Sequence, residues 1–231
     1  MLKRHFIFTT IFLIITIANL YADIHLLRDV RLFVKPLICI SLGIYFIQKV
    51  KLDIGFNRLI LAALIFSLFG DCFLMFALEG NPFFICGLIS FLVAHILYSL
   101  AFFRDFKNDP QASKIYGHLM LFLMGVFSLS YYSWLRDSLG DMRIPVMAYM
   151  FVISIMAILA GYRHKRVNGL SFRMIFTGAI FFVISDSILA YNKFVMPFPY
   201  SGVAIMGTYM LAQYLITIGG IERVVSLRSN R

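Results

Sequence analysis

The chain has 231 residues, of which 61% are hydrophobic and only 14% charged, with a mean hydropathy of +0.87. A water-soluble domain of this length could not keep so much apolar surface from water, so the composition points to a polytopic membrane protein, all-α, with residues 1–231 forming one integral membrane domain. The net charge of +10 would suit a nucleic-acid partner, but its distribution along the chain marks topology instead.

Eight apolar spans are expected, at about 6–21, 33–48, 59–76, 83–103, 118–135, 144–162, 173–191 and 200–219. Most approach the roughly 20 residues a bilayer requires, the second is short, and the connections are short throughout. Ahead of the first span, Lys3 and Arg4 with the small Ala22 resemble a signal peptide. Asn19-Leu20-Tyr21-Ala22 lacks the small residue three positions before a cut, so the span is expected to be retained. Of the 21 Lys and Arg, 15 fall on the side of the two termini and 5 on the other, with Lys35 at a span end. That bias puts both termini in the cytoplasm. Cys39, Cys72 and Cys86 lie in apolar segments with no metal or disulfide spacing and read as small packing residues. Tail arginines such as Arg223 and Arg228 read as interfacial anchors.

The two halves echo each other. Gly70-Asp71-x-x-Leu74 late in the third span aligns with Ser185-Asp186-x-x-Leu189 late in the seventh. The fourth helix of each half carries polar groups near its middle, His95 and Tyr98, then Tyr209 and Gln213. Four spans restore orientation, so duplication would give a parallel repeat. The echo is short, and by itself it does not separate duplication from coincidence.

Asp71 and Asp186 carry most of the information. A carboxyl at membrane depth costs roughly 2.5–3.5 kcal/mol on insertion scales, so two at matching depths suggest a buried acid/base pair. By the expected span ends both lie about 7–8 Å below the outer end of their helices. Tyr149 and Lys35 sit near the same end, and His95 and Gln213 lie deeper, so the polar groups outline a pocket opening to the non-cytoplasmic side. Packing hydrogen bonds between helices are the plain alternative for each of them, and snorkelling for Lys35. Only His95 of the five histidines lies well within a span, which leaves a His-rich zinc site without ligands. There is no G-x-S-x-G and no P-loop. Leu68-Phe69-Gly70-Asp71 lacks the first glycine of the intramembrane aspartyl protease signature.

Lys35-Pro36-Leu37, Gly70-Asp71 with Leu74-Met75, and Gly87-x3-Phe91-x3-His95-x2-Tyr98 together resemble the YhhN-like lysoplasmalogenase family. So do Gly178-Ala179-x-Phe181-x2-Ile184-Ser185-Asp186-Ser187 with Asn192 and Phe194, and Tyr209-x3-Gln213. The elements keep the family's order over roughly residues 33–219, while 104–143 shows little that is similar. The resemblance implies an eight-helix membrane hydrolase that cleaves the vinyl-ether bond of lysoplasmalogens, releasing a fatty aldehyde and glycerophospho-ethanolamine or -choline. It implies no cofactor and no metal, a lysophospholipid and the bilayer as partners, and no obligate protein partner.

Such chemistry needs a protonated acid to deliver a proton to the vinyl β-carbon and an anion to stabilise the cation that forms. Two carboxyls in a low-dielectric site are a general way to keep one of each. On this reading Asp71 and Asp186 are the catalytic pair, with His95 and Tyr98 positioning water or polarising the ether oxygen. Lys35 would meet the phosphate, and Tyr149, Ser185, Asn192, Tyr209 and Gln213 would complete the lining. The alkenyl chain would enter laterally from the lipid. The competing readings are a small-molecule or lipid transporter that couples protons through the Asp pair, and a lipid sensor without turnover. A bacterial cytoplasmic membrane is the expected location, or the endoplasmic reticulum in a eukaryote.

Overall fold

A computed structural model describes residues 2–52, 55–77 and 81–225. They form helices α1 (Leu2–Ile24), α2 (Arg28–Lys49), α3 (Gly55–Met75), α4 (Asn81–Asn108), α5 (Ile115–Leu135), α6 (Arg143–Tyr162), α7 (Gly169–Phe194) and α8 (Ser201–Ile221). Two short 3₁₀ turns, Arg136–Ser138 and Gly140–Met142, link α5 to α6. All eight helices are long and apolar enough to cross a membrane. Hydrocarbon offers no partner to a free backbone N–H or C=O, so spanning segments that are not a closed barrel must be helical. The chain is an integral membrane protein of the all-α class.

The second span departs from expectation. It starts at Arg28 instead of 33 and is full length, because Arg28, Asp29 and Arg31, which read as loop, belong to the helix. Arg31 donates to Asp23 near the end of α1 at 3.1 Å, so these charges fasten α1 to α2. Pro36 lies inside α2, where its missing N–H leaves the carbonyl four residues earlier without its helical donor. Pro145, in the first turn of α6, has no such cost.

The tightest pairs are α3 with α4 and α7 with α8. Small residues allow these close approaches. A Cβ on Gly70 would fall 2.6 Å from the Phe91 ring, and one on Gly178 would fall 2.9 Å from Ile216 and 3.0 Å from the Ala212 carbonyl. Phe46, Phe56, Phe102 and Phe182 fill the centre of the bundle. α5 is the most peripheral helix and packs chiefly on α6. Its Leu121, Phe122, Val126 and Leu129 face outward, where lipid takes the place of protein.

At the end of the bundle that holds the N-terminus, Arg163 is fully buried and donates to Asp105 at 2.8 Å and to the Ser171 hydroxyl at 2.8 Å. Burial pulls its guanidinium down from the ordinary value, and the Asp105 carboxylate opposes that shift. Arg223 donates to the other Asp105 oxygen at 2.7 Å, so it is a member of a buried ion-pair network and not a free anchor. Arg228, expected as a second anchor, lies outside the described residues. Arg166 is also buried and caps the turn after α4 by donating to the carbonyls of Asp109, Ala112 and Ser113. Arg4 and His5 close on Glu222 at 3.0 and 2.8 Å, fastening α1 to the end of α8.

Candidate active site

At the opposite end, the last turns of α1, α3 and α7 and the first turns of α2, α4 and α8 surround a cavity of about 260 Å³. Its rim carries Asp23, Arg31 and Lys193, and its interior carries Lys35, Asp71, Asp186 and Tyr209. Both aspartates therefore face one space. Among the described residues no hydrogen bond joins them, and each has its own set of partners.

Asp71, in the last turns of α3, is almost completely buried. Its Oδ2 accepts from the Tyr209 hydroxyl at 2.7 Å and from the Cys39 thiol at 3.5 Å. Its Oδ1 faces the Lys35 ammonium at 3.6 Å. Behind Tyr209, Gln213 donates to the Tyr209 oxygen at 3.2 Å and accepts from Tyr98 at 2.7 Å. A relay of buried side chains thus runs from the cavity into the bundle centre.

Asp186 is organised differently. Tyr149 donates to its Oδ2 at 2.6 Å, and His95 Nε2 stands 3.0 Å from the same oxygen and 2.9 Å from the Tyr149 oxygen. His95 Nδ1 is buried and has no hydrogen-bond partner. An N–H there would be an unmet buried donor, so the proton belongs on Nε2, shared between Asp186 and Tyr149. Both donors converge on Oδ2, and among the described residues Oδ1 has no hydrogen bond. Among the described residues, no lysine or arginine pairs with Asp186.

Asp186 also lines a second, narrow and almost wholly apolar slot of about 50 Å³ between α4, α5, α6 and α7. Phe84, Leu88, Phe127, Val146 and Val183 form its walls, and Tyr149 closes it beside Asp186. Asp186, Phe84 and Leu189 belong to both spaces, so the polar cavity and the apolar slot meet at the Asp186 carboxyl.

The sequence-predicted residues fall into three groups. Lys35, Asp71, Ser185, Asp186, Asn192 and Tyr209 line the cavity. His95 and Tyr149 stand behind Asp186, with Tyr149 on the slot side. Tyr98 and Gln213 are fully buried behind Tyr209 and line neither space. Tyr98 therefore does not join His95 at one position as expected. The Ser185 hydroxyl is used by the Ile205 carbonyl at 3.0 Å, and the Asn192 side chain accepts from the Phe198 N–H at 3.4 Å.

Three members of the site were not singled out from sequence. Cys39 bridges Asp71 and Tyr209, and Asp23 and Arg31 form an ion pair at the rim. Cys39 lies four residues, one helical turn, after Lys35, and that spacing was the available signal.

The echo between halves has a structural counterpart. Asp71 is held from α2 of its own half and α8 of the other, and Asp186 from α6 of its own half and α4 of the other. The residues correspond in register: Asp186 follows Asp71 by 115 positions, Gln213 follows Tyr98 by 115, and Tyr149 follows Lys35 and Tyr209 follows His95 by 114. Each half lends its fourth helix to the other half's carboxylate.

No solved structure matches this chain. Among curated proteins, Lysoplasmalogenase TMEM86A of Homo sapiens is 35% identical over 169 residues, covering 71% of this chain and 65% of the relative. Lysoplasmalogenase TMEM86B of Homo sapiens is 30% identical over 191 residues, covering 82% and 74%. The TMEM86B protein of Rattus norvegicus is 31% identical over 189 residues, covering 81% and 71%. The match thus spans about two thirds of the length of the TMEM86A relatives. The sequence profile of the YhhN family matches residues 30–220 and so takes in α2 to α8 and both carboxylate sites; the chain belongs to the YhhN family.

Proposed function

We propose that this protein is a lysoplasmalogenase, an enzyme that hydrolyses the vinyl-ether bond of 1-alkenyl lysophospholipids. The observation that carries the reading is the position of Asp186, where a charged cavity and an apolar slot meet. A lysoplasmalogen has the same division, with a polar glycerophosphate end, a single hydrocarbon chain, and the scissile bond between them. Arg31, Lys35 and Lys193 supply cations for the phosphate at the polar end.

The two carboxylates take separate roles. Asp186, with Oδ2 occupied by two donors and Oδ1 open, carries the proton and delivers it to the vinyl β-carbon. The double-bond electrons form the new C–H bond, and a lone pair on the ether oxygen completes an oxocarbenium ion. Asp71 holds negative charge across the cavity and stabilises that cation, as preorganised charge does in other active sites. Water adds to the oxocarbenium carbon and returns a proton to Asp186. The hemiacetal then collapses to the aldehyde and the free glycerol hydroxyl, so one water is consumed. His95 and Tyr149 hold the Asp186 carboxyl in place through both proton states. Glycosidases manage a related cation with two carboxylates, a parallel of mechanism only.

The test is aldehyde release from 1-alkenyl lysophosphatidylethanolamine by detergent-purified protein in EDTA. Wild type should turn over, and Asp186→Asn and Asp71→Asn should not while remaining folded. A folded wild type that releases no aldehyde discards the reading and brings forward proton-coupled transport.

A further inference from the structure

The apolar slot beside Asp186 reaches almost to the membrane-facing surface. On the lipid-facing side of α5 and α6 lies a groove of about 360 Å³, lined by Leu121, Met124, Gly125, Met147, Phe151 and Ile158 among others. Slot and groove share Ser128, Met150 and Ser154, so a single layer of side chains separates the carboxyl site from the membrane. In that layer the Ser128 and Ser154 hydroxyls are 2.8 Å apart, and Ser154 also donates to the Met150 carbonyl at 2.7 Å.

The attachments of α5 show where this wall can part. Toward α5's start, Gly117 lies against Tyr162, and Gly161 lies against the Tyr116 backbone, where a Cβ would come within 2.8 Å. At its other end Tyr131 donates to the Ser187 carbonyl at 2.7 Å, and Trp134 stacks on Tyr191. Tyr132 also donates to the Arg143 carbonyl at that end, at 3.3 Å, and between the fastenings the Ser128–Ser154 pair is, among the described residues, the hydrogen bond that joins α5 to α6. Side-chain hydrogen bonds between membrane helices add little net stability, so this one can open at small cost. Met150 beside it is an unbranched side chain that adapts its shape readily.

We propose that the α5–α6 groove is the binding site for the distal part of a single lipid hydrocarbon chain, and that the Ser128–Ser154 pair with Met150 is the gate through which that chain reaches Asp186 from the bilayer. The inference rests on the vinyl-ether hydrolase reading and adds where the chain lies. The slot alone, at about 50 Å³, is too small for a long alkenyl chain. Its continuation into the groove supplies the missing length. The groove is apolar, as an uncharged chain requires, and the phosphate cations stand at the far side of Asp186.

Gly125 provides a clean test, because a Cβ there would meet nothing within 4 Å. Gly125 lines the groove, so the Gly125→Trp side chain leaves the helix into open space and places its bulk there. Its kcat/KM for a long-chain alkenyl lysophospholipid should fall roughly tenfold or more, while a short-chain, water-soluble alkenyl analogue is cleaved as by wild type. A Ser128→Cys/Ser154→Cys pair should form a disulfide on oxidation and lose long-chain turnover, then regain it on reduction, again sparing the short analogue. Unchanged long-chain turnover in Gly125→Trp and in the oxidised pair overturns the portal and leaves the hydrolase reading intact, with the groove holding bulk lipid only. Equal loss on both substrates also overturns it, because a blocked portal spares the short one. If wild type cleaves neither substrate, the hydrolase reading falls and the portal with it.

Discussion

The two ends of the bundle bury charge in opposite ways. At the end with the N-terminus, Asp105 is fully enclosed and both its oxygens are taken, by Arg163 and by Arg223. At the other end Asp71 and Asp186 face a cavity, and among the described residues one Asp186 oxygen has no hydrogen bond. Burial alone therefore does not distinguish these carboxyls. Access to an open space together with incomplete pairing does, and by that measure Asp186, on which the proposed chemistry rests, stands apart from Asp105.

Replacing Asp186 tests this contrast most severely. Asp186→Asn should lower kcat by about 10²–10⁴, the usual contribution of a positioned proton donor, and leave the melting temperature of the detergent-solubilised protein near that of wild type. Asp71→Asn should lose activity comparably but also stability, because it strands the Lys35 ammonium. A large stability loss in Asp186→Asn would make the two ends alike and remove the contrast.

Arg163→Met probes the other end. It leaves Asp105 buried with half its partners, which typically costs about 3–5 kcal/mol, while kcat of the fraction that folds should match wild type. Adding Asp105→Leu and Arg223→Met to the same protein should recover much of the loss, since removing the whole ion-paired network costs less than removing one member of it. An unfolding series over the single and triple variants measures it. Tyr149→Phe comes next in size. It removes one of two donors to Asp186 Oδ2 and should slow turnover roughly tenfold, the equivalent of about 1.4 kcal/mol, with His95 still in place.

What was legible in the sequence follows the same division. The eight spans and the two central carboxylates could be read because an apolar run and a charge within it are local signals. Arg28 to Arg31 were misplaced because charge in a short segment looks like loop until its partner Asp23, on another helix, is known. Arg223 reads as an anchor for the same reason: Asp105, 118 positions away, is what makes it structural. Tyr98 was grouped with His95 by i+3 spacing, yet they serve different carboxylates, one through Gln213 and Tyr209 and the other directly. The exchange of fourth helices between halves sends Tyr209 to Asp71 and His95 to Asp186, and no local pattern encodes that crossing.

The smallest effect asks whether the two ends are independent. His164, after α6, lies between the rings of Tyr116 at 4.5 Å and Phe172 at 5.0 Å. Burial, then the charges of Lys165 and Arg166, hold its pKa below the ordinary imidazole value of 6.5. The folded value is thus below the unfolded one. The stability this group supports is complete above the unfolded value and is lost as pH falls below it toward the folded value. Wild type should therefore melt lower at pH 5.5 than at pH 7.5, and His164→Gln should shrink that difference by about one or two degrees, a small change because the ring is partly solvated. Other groups titrate in the same interval, so the comparison of variant with wild type is the quantity to read. The pH profile of kcat should be identical in the two proteins, because His164 lies at the end of the bundle away from Asp71 and Asp186. A profile that moved with His164→Gln would mean that protonation at the ion-paired end is felt in the cavity, and the separation of a structural end from a reactive end would no longer hold.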